Sequence, residues 1–378
     1  MSEGSSMLRV ALEPARDEAA GWQLLDARTG ALIEEGPWVK EAVESAVPVP
    51  TDDGDYRVLV STISPERGWA YERGAKMRVL DVAMRGGRMT VARDRRMTLA
   101  ALRWEGLPAR AAAFAVEPWT ILWRNRSLIA AMVGRDLQGR YRGSFGDRLW
   151  AVAQPLLLMV TYWFVFGVVL KTRFNDDPNP AIYVLHFLCG MLPWLAFSEA
   201  VGRAPNVILE HRNLVKKLVF PVEILPLNLV FSALTTGSVA ILVYLFFVRG
   251  ILEWFPWTIL WLPLIVVTQF LLAAGVCWAW AAVGLFARDL AQVNGFLLTA
   301  VFFLTPICYP EKSLPPELVP LLQKSPIYKL VAEYRLLLIV GDAPDWKIYG
   351  QLLLMGLAAF YFGYAVFRKL RPSFPDVL

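Results

Sequence analysis

Six stretches of about twenty apolar residues crowd residues 149–378: 149–170, 181–202, 225–248, 258–286, 290–309 and 349–367. A hydrocarbon core about 30 Å thick takes roughly 20 residues of helix to cross. In lipid the backbone must satisfy its own polar groups, which favours helices over open strands. One such stretch could be a buried helix of a soluble protein; six in succession predict an α-helical polytopic membrane protein with six transmembrane helices. The first carries no charge, the second has Glu199 near its end, and the fifth contains Asn294 and Pro306. Composition agrees: 56% of the chain is hydrophobic and 19% charged, against roughly 25% charged in soluble domains, and the mean hydropathy is +0.43.

Charge divides the chain. Residues 1–148 hold 22 of the 38 Lys/Arg and 20 of the 33 Asp/Glu, so a soluble part precedes the membrane part. No basic n-region followed by a long apolar run opens the sequence, which predicts that the soluble part stays in the cytoplasm. With the N-terminus inside, the inner flanking segments carry 14 Lys/Arg and the outer ones 8 over similar lengths. That is the direction of the positive-inside rule, and an even number of spans places both termini in the cytoplasm. The net charge of +5 is modest and no basic run interleaves with aromatics, which argues against nucleic-acid binding. Cys189, Cys277 and Cys308 lie in apolar stretches and read as reduced, buried thiols. Two isolated histidines, His186 and His211, do not make a metal site.

Residues 1–110 read as a small β-rich domain. Segments 21–26 and 31–35 flank Arg28-Thr29-Gly30, a hairpin signal; 56–62, 77–84, 88–93 and 98–104 are further strands, with Gly86-Gly87 turning one into the next. Residues 118–148 form an amphipathic interface helix and connector. On one continuous helix Leu122, Ile129, Val133 and Leu137 share a face, opposite Arg124, Arg135, Gln138 and Arg142. Such a helix lies in the headgroup layer with its arginines toward water.

Some chemistry is missing. No Gly-x-x-x-x-Gly-Lys-[Ser/Thr] occurs, so the chain has no phosphate-cradling loop of that kind. Few ionisable residues fall inside the spans, which disfavours a proton-coupled carrier. A membrane enzyme of glycan assembly would need a set of carboxylates or a nucleotide-sugar motif, and neither is evident.

Five segments, taken in order, carry a resemblance: 135–144 (RDLQGRYRGS) with Leu149-Trp150 and Gln154-Pro155; Gly190-Met191-Leu192-Pro193-Trp194 with 197–200; Asn213-Leu214-Val215-Lys216-Lys217 with Phe220-Pro221 and 223–226; Arg288-Asp289-Leu290 leading to 303–307 and Tyr309-Pro310; and 367–370 with Phe374 and Asp376. Together they resemble the permease, or transmembrane, subunit of type-2 ABC exporters for lipid-linked polysaccharides of the O-antigen, capsule and teichoic-acid kind. The resemblance covers about residues 118–378 and leaves out 1–110. It implies a six-span permease domain, 149–378, in a bacterial cytoplasmic (inner) membrane. It also implies a homodimer with two copies of a separate ATP-binding cassette subunit, which would bind ATP and Mg; this chain itself would carry no cofactor. Coupling to that ATPase falls on Asn213, Leu214, Lys216, Lys217 and Leu218, where cations alternate with apolar residues that can enter a cleft. In the family the outer region folds back into the membrane; here 317–324 and 327–340 read as its two short helices, with Thr305-Pro306 breaking the fifth span.

A polysaccharide needs aromatic faces and hydrogen bonds along its path, for which Tyr162, Trp163, Tyr183 and Trp194 are candidates. A polyprenyl-pyrophosphate carrier needs cations where it enters, for which Arg140, Arg142 and Arg148 are candidates; these arginines suit ordinary anionic membrane lipids equally well. Related exporters of drugs or small lipids are the alternative within the same class.

Overall fold

The structure is a computed structural model. It describes residues 5–141, 150–169, 180–216, 220–252, 255–311 and 314–378, apart from positions 13, 15–17, 28, 37, 65–67 and 74. The chain divides into two compact units, Met1–Val116 and Glu117–Leu378.

The first unit is a β-sandwich followed by the start of a helix. Strands β1 (Ser5–Leu12) and β4 (Val43–Pro50) pair antiparallel as one small sheet. Strands β2 (Ala19–Asp26), β3 (Leu32–Glu35), β5 (Gly54–Ser64), β7 (Met77–Arg85) and β8 (Arg88–Met97) form the other, in the order β3-β2-β5-β7-β8; the short β6 (Gly68–Trp69) pairs with β5. Side chains alternate across a strand, and β7 uses both faces. Leu80, Val82 and Met84 meet Val10, Leu12, Val47 and Val49 in the inter-sheet core, whereas Met77 and Val79 join Leu59, Ile63 and Trp69 on the opposite face. The β7–β8 turn is Gly86-Gly87, at φ 54° and 74°; positive φ at both central positions is what a two-residue hairpin of this kind requires.

The sequence expectation of a strand at 98–104 is overturned. Thr98 Oγ1 accepts a hydrogen bond from the Ala101 amide at 3.3 Å, and helix α1 runs over Leu99–Arg124. Its Leu99 and Leu102 cover the second β-core. The single helix expected before the first span is also interrupted. The helical run breaks at Asn125, whose side chain donates to the Ile121 carbonyl, and α2 occupies Arg126–Tyr141.

Among the described residues of the second unit four helical segments are long and apolar enough to cross a membrane: Ala181–Glu210, Ile224–Ile251, Trp257–Phe286 and Trp346–Val377; Leu156–Val165 and Leu290–Leu304 are shorter apolar helices. The elements are α3 (Trp150–Tyr162), continued by a π-helical turn to Val169; α4 (Pro180–Arg203); the short α5 (Val207–Glu210) and α6 (Arg212–Val215); α7 (Ile224–Leu252); α8 (Leu262–Phe286); and α9 (Leu290–Leu304). They are followed by α10 (Val319–Leu322); α11 (Pro326–Arg335), continued by a π-helical turn to Val340; α12 (Trp346–Leu370); and α13 (Phe374–Val377).

Helices α8 and α12 make the most intimate pair. A Cβ on Gly363 would overlap the Gly275 carbonyl, and one on Gly275 would overlap the backbone of Ala359. Lipid tails are as apolar as leucine, so close backbone approach through small residues supplies the attraction between helices here. Trp278 fills the space below, its ring 5.0 Å from Phe360 and 5.1 Å from Tyr364, with Nε1 donating to the Glu223 carbonyl at 3.0 Å. Asn294, buried within α9, is a structural pin: it donates to the Val201 carbonyl of α4 at 2.9 Å and accepts from Trp280 of α8 at 2.8 Å.

Candidate functional site

The residues assigned to coupling fall on the connection between α4 and α7. Pro205 ends α4 in a turn, Ala204–Asn206, and the His211 ring contacts the Val207 carbonyl at 2.9 Å. Helix α6 then offers Asn213 as an exposed residue and Leu214 as a half-buried one; Lys216 beyond it is exposed, while Val215 is buried and anchors the turn. Lys217 and Leu218 lie outside the described residues. The return into α7 is fastened by Glu223, which is buried and paired with Arg371 beyond the end of α12. Glu117 and Arg368 pair nearby at 2.9 Å. Among its described residues the connection thus holds a short, partly exposed helix that ends at the buried Val215, ahead of the buried Glu223.

Arg140 is not a free cation. Its Nη2 lies 3.0 Å from Asp136, and its Nη1 pairs with Glu199 of α4. Asp136 also receives two hydrogen bonds from Arg203, at 3.1 and 2.9 Å. Asp136, Arg140, Glu199 and Arg203 therefore form a charge-balanced framework tying α2 to the end of α4. Burial raises the Asp136 pKa, but the hydrogen bonds and charge of Arg203 and Arg140 outweigh it and hold the carboxyl at about 2, below its usual 3.8. A cavity of about 410 Å³ opens beside this framework, lined by Arg140, Glu199 and Ser198 together with Leu158, Leu195 and Ala240. Arg142 and Arg148 lie outside the described residues. Sequence reasoning missed the framework, although Asp136/Arg140 and Glu199/Arg203 each have the i,i+4 spacing of a helical ion pair.

The four aromatic candidates separate. Trp194 is buried, its ring 6.2 Å from Phe197 and 5.7 Å from Phe302. Tyr183 is buried, and its hydroxyl donates to the Cys308 carbonyl at 2.5 Å. Tyr162 is half-buried with its ring edge-on to Phe187 at 4.6 Å, and Trp163 is exposed. In this conformation protein therefore covers Tyr183 and Trp194, leaving Trp163 and part of Tyr162 accessible.

Tyr183 belongs to a second construction at the far end of α9. The helix ends at Leu304 with Thr305 extended (φ −86°, ψ 132°), since proline disfavours helical backbone in the residue before it. The carbonyls that follow are capped from elsewhere. Arg335 of α11 donates to Pro306 at 2.9 Å, to Ile307 at 3.1 Å and to His186 of α4 at 3.3 Å, while Tyr183 takes Cys308. Irregular backbone at membrane depth persists only where protein supplies such partners. A cavity of about 710 Å³ lies beside Arg335, walled by Pro306, Leu314, Pro316 and Val331, with Glu311 held by Tyr328 and Gln323. Among the described residues no cluster of three His, Cys, Asp or Glu is placed to hold a metal ion.

The sequence is similar to known transport proteins. The chain is 28% identical over 257 residues to the O-antigen export system permease protein RfbA of Myxococcus xanthus, covering 68% of this chain and 96% of that protein. It is 26% identical over 254 residues to the protein of the same name from Klebsiella pneumoniae, covering 66% and 95%. It is also 23% identical over 243 residues to the polysialic acid transport protein KpsM of Escherichia coli, covering 64% and 92%. Residues 127–335, which run from α2 through the connection between α4 and α7 to the end of α11, match the ABC-2 type transporter family, to which this chain belongs.

Proposed function

We propose that this protein is the transmembrane subunit of an ABC exporter that moves a polysaccharide, carried on polyprenyl pyrophosphate and of the O-antigen kind, across the bacterial cytoplasmic membrane. The observation that carries the reading is the near-complete coverage of two named polysaccharide permeases, 96% and 92% of their lengths. The chain works as a homodimer with two copies of an ATP-binding subunit that holds ATP and Mg, because its own sequence has no phosphate loop. Helix α3 with its π-helical turn, and α9, join the four longer segments as six spans. Both termini are cytoplasmic and α2 lies in the interface. The glycan passes Trp163 and Tyr162, and the carrier's pyrophosphate enters beside the Arg140 framework; Arg142 and Arg148 are the further candidates the sequence offers for it.

The test addresses coupling. Asn213, Leu214, Lys216, Lys217 and Leu218 dock on the ATP-binding subunit. Leu214→Asp and Leu218→Asp each bury an unpaired charge there, costing several kcal/mol, and weaken assembly by orders of magnitude. The measurement is co-purification of the ATPase and surface glycan display, at matched expression. Normal partner recovery and normal display in both variants would refute this placement of the coupling element.

A further inference from the structure

A cavity separate from the Arg140 framework lies where the end of α1 meets the end of α12. Its volume is about 750 Å³, and Trp119, Trp123, Phe220, Arg124, Glu223 and Arg371 are among its walls. Trp119 stacks on Phe360 at 5.2 Å and donates to the Tyr361 hydroxyl at 3.1 Å. Phe360 stands eleven residues before Arg371, or about 16 Å along the helix. The cavity wall therefore includes Trp119, packed on the buried Phe360, and Arg371 at the charged end of a membrane-length helix.

The charges at the mouth do not balance. Glu223 pairs with Arg371, and Glu117, also lining the cavity, pairs with Arg368. Arg124 is exposed, and among the described residues it has neither an ion pair nor a hydrogen bond from its side chain. Arg126 does not line the cavity but lies over the ring of Trp123, which does, 4.7 Å from its centroid; among the described residues it too has no ion pair. Two uncompensated guanidinium groups thus remain beside two tryptophans, Trp119 and Trp123, which are 41% and 73% exposed. Tryptophan collects at headgroup level, and guanidinium suits a phosphate oxygen pair.

We propose that this cavity binds an anionic phospholipid, with its phosphodiester on Arg124 and Arg126 and its chains descending along Trp123 and Trp119. A soluble acidic protein surface would match the two arginines. It would leave unexplained the two exposed tryptophans beside them, Trp119 and Trp123. The site needs only a membrane-spanning α12 and does not rest on the identity of the transported cargo.

The experiment uses the full-length chain, purified in detergent, and native mass spectrometry with phosphatidylglycerol, phosphatidylcholine or inorganic phosphate added. The wild-type chain retains phosphatidylglycerol in preference to phosphatidylcholine. Arg124→Gln/Arg126→Gln weakens that retention at least tenfold, without changing the elution profile or the melting midpoint in phosphatidylcholine. Trp123→Ala, a second variant at an exposed position, weakens retention of both lipids. Phosphatidylglycerol raises the melting midpoint of the wild-type chain and not of the double variant. Equal retention by wild-type and double variant would overturn the proposal. So would displacement of the lipid by millimolar inorganic phosphate, which would make this a free-phosphate site. Unchanged lipid retention with lost recovery of the ATP-binding subunit would assign the cavity to a protein partner and would also overturn it.

Discussion

Asp136→Asn isolates the framework between α2 and α4. In the folded chain the Asp136 carboxyl is held at about 2 against a usual 3.8, a difference worth about 2 kcal/mol at 1.36 kcal/mol per unit. Its side chain is 17% exposed, so solvent screens little of this. The asparagine removes the charge and leaves Arg140 with Glu199 alone, while Arg203, 36% exposed, turns to water. The expected cost is about 2 kcal/mol, a fall of roughly 5 °C in melting midpoint for a unit of this size. The coupling decides the interpretation. Arg203→Gln alone should cost nearly as much, and in the Asp136→Asn background it should cost almost nothing, an interaction energy of about 1–2 kcal/mol. The sign with pH follows from a depressed carboxylate: the stabilisation is complete above about pH 4 and is lost as pH falls toward 2. The assay is thermal unfolding of the purified chain in one detergent at one scan rate, for the two single variants and the double. Additive losses, or a wild-type advantage over Asp136→Asn that persists unchanged down to pH 2, would refute the framework.

Other outcomes are expected. Arg335→Met leaves the Pro306 and Ile307 carbonyls buried without a donor, at about 1–3 kcal/mol each; it should lower the melting midpoint sharply and abolish glycan display. Tyr183→Phe loses one hydrogen bond, about 1 kcal/mol, and should keep at least half of wild-type display, since the hydroxyl serves a carbonyl and not a sugar. Gly363→Leu forces α12 away from the Gly275 carbonyl and should yield no monodisperse protein by size-exclusion chromatography. The purified chain alone should show no ATP turnover by phosphate release; turnover by a homogeneous sample without a second chain would contradict the exporter reading.

The membrane helices were legible because their signal is local and long. The expected stretches 181–202, 225–248 and 349–367 fall within α4, α7 and α12, and Thr305-Pro306 marks the end of α9. In the first unit the hairpins were legible from Thr29-Gly30 and Gly86-Gly87, whereas β1 and β4 were not. Those two strands are far apart in sequence, and β4 contains Pro48 and Pro50, so only tertiary packing makes them strands. Residues 98–104 were misread for the opposite reason: the run Leu99-Ala100-Ala101-Leu102 belongs to an alanine-rich helix that continues past Ala115, and a window ending at Trp104 hides its length. At the candidate site, residue type was legible but partner was not. Arg140 looks like a cation awaiting a phosphate until Glu199, 59 positions away, is folded against it.

The same blindness explains the break after α9, and it points to a rule for this chain. Several backbone carbonyls in and beside the spans are served by a polar side chain from a different element. Arg335 and Tyr183 serve the three carbonyls after α9, Asn294 serves Val201 near the end of α4, and Gln269 serves Pro193 within α4 while accepting from Tyr334 of α11. Read one at a time, these residues look like sites for a polar cargo. Read as pairs, they are the condition for irregular backbone to exist in lipid at all. Side chains that touch the glycan should therefore be those left over once the carbonyls are served, as Trp163 is, and not those buried deepest.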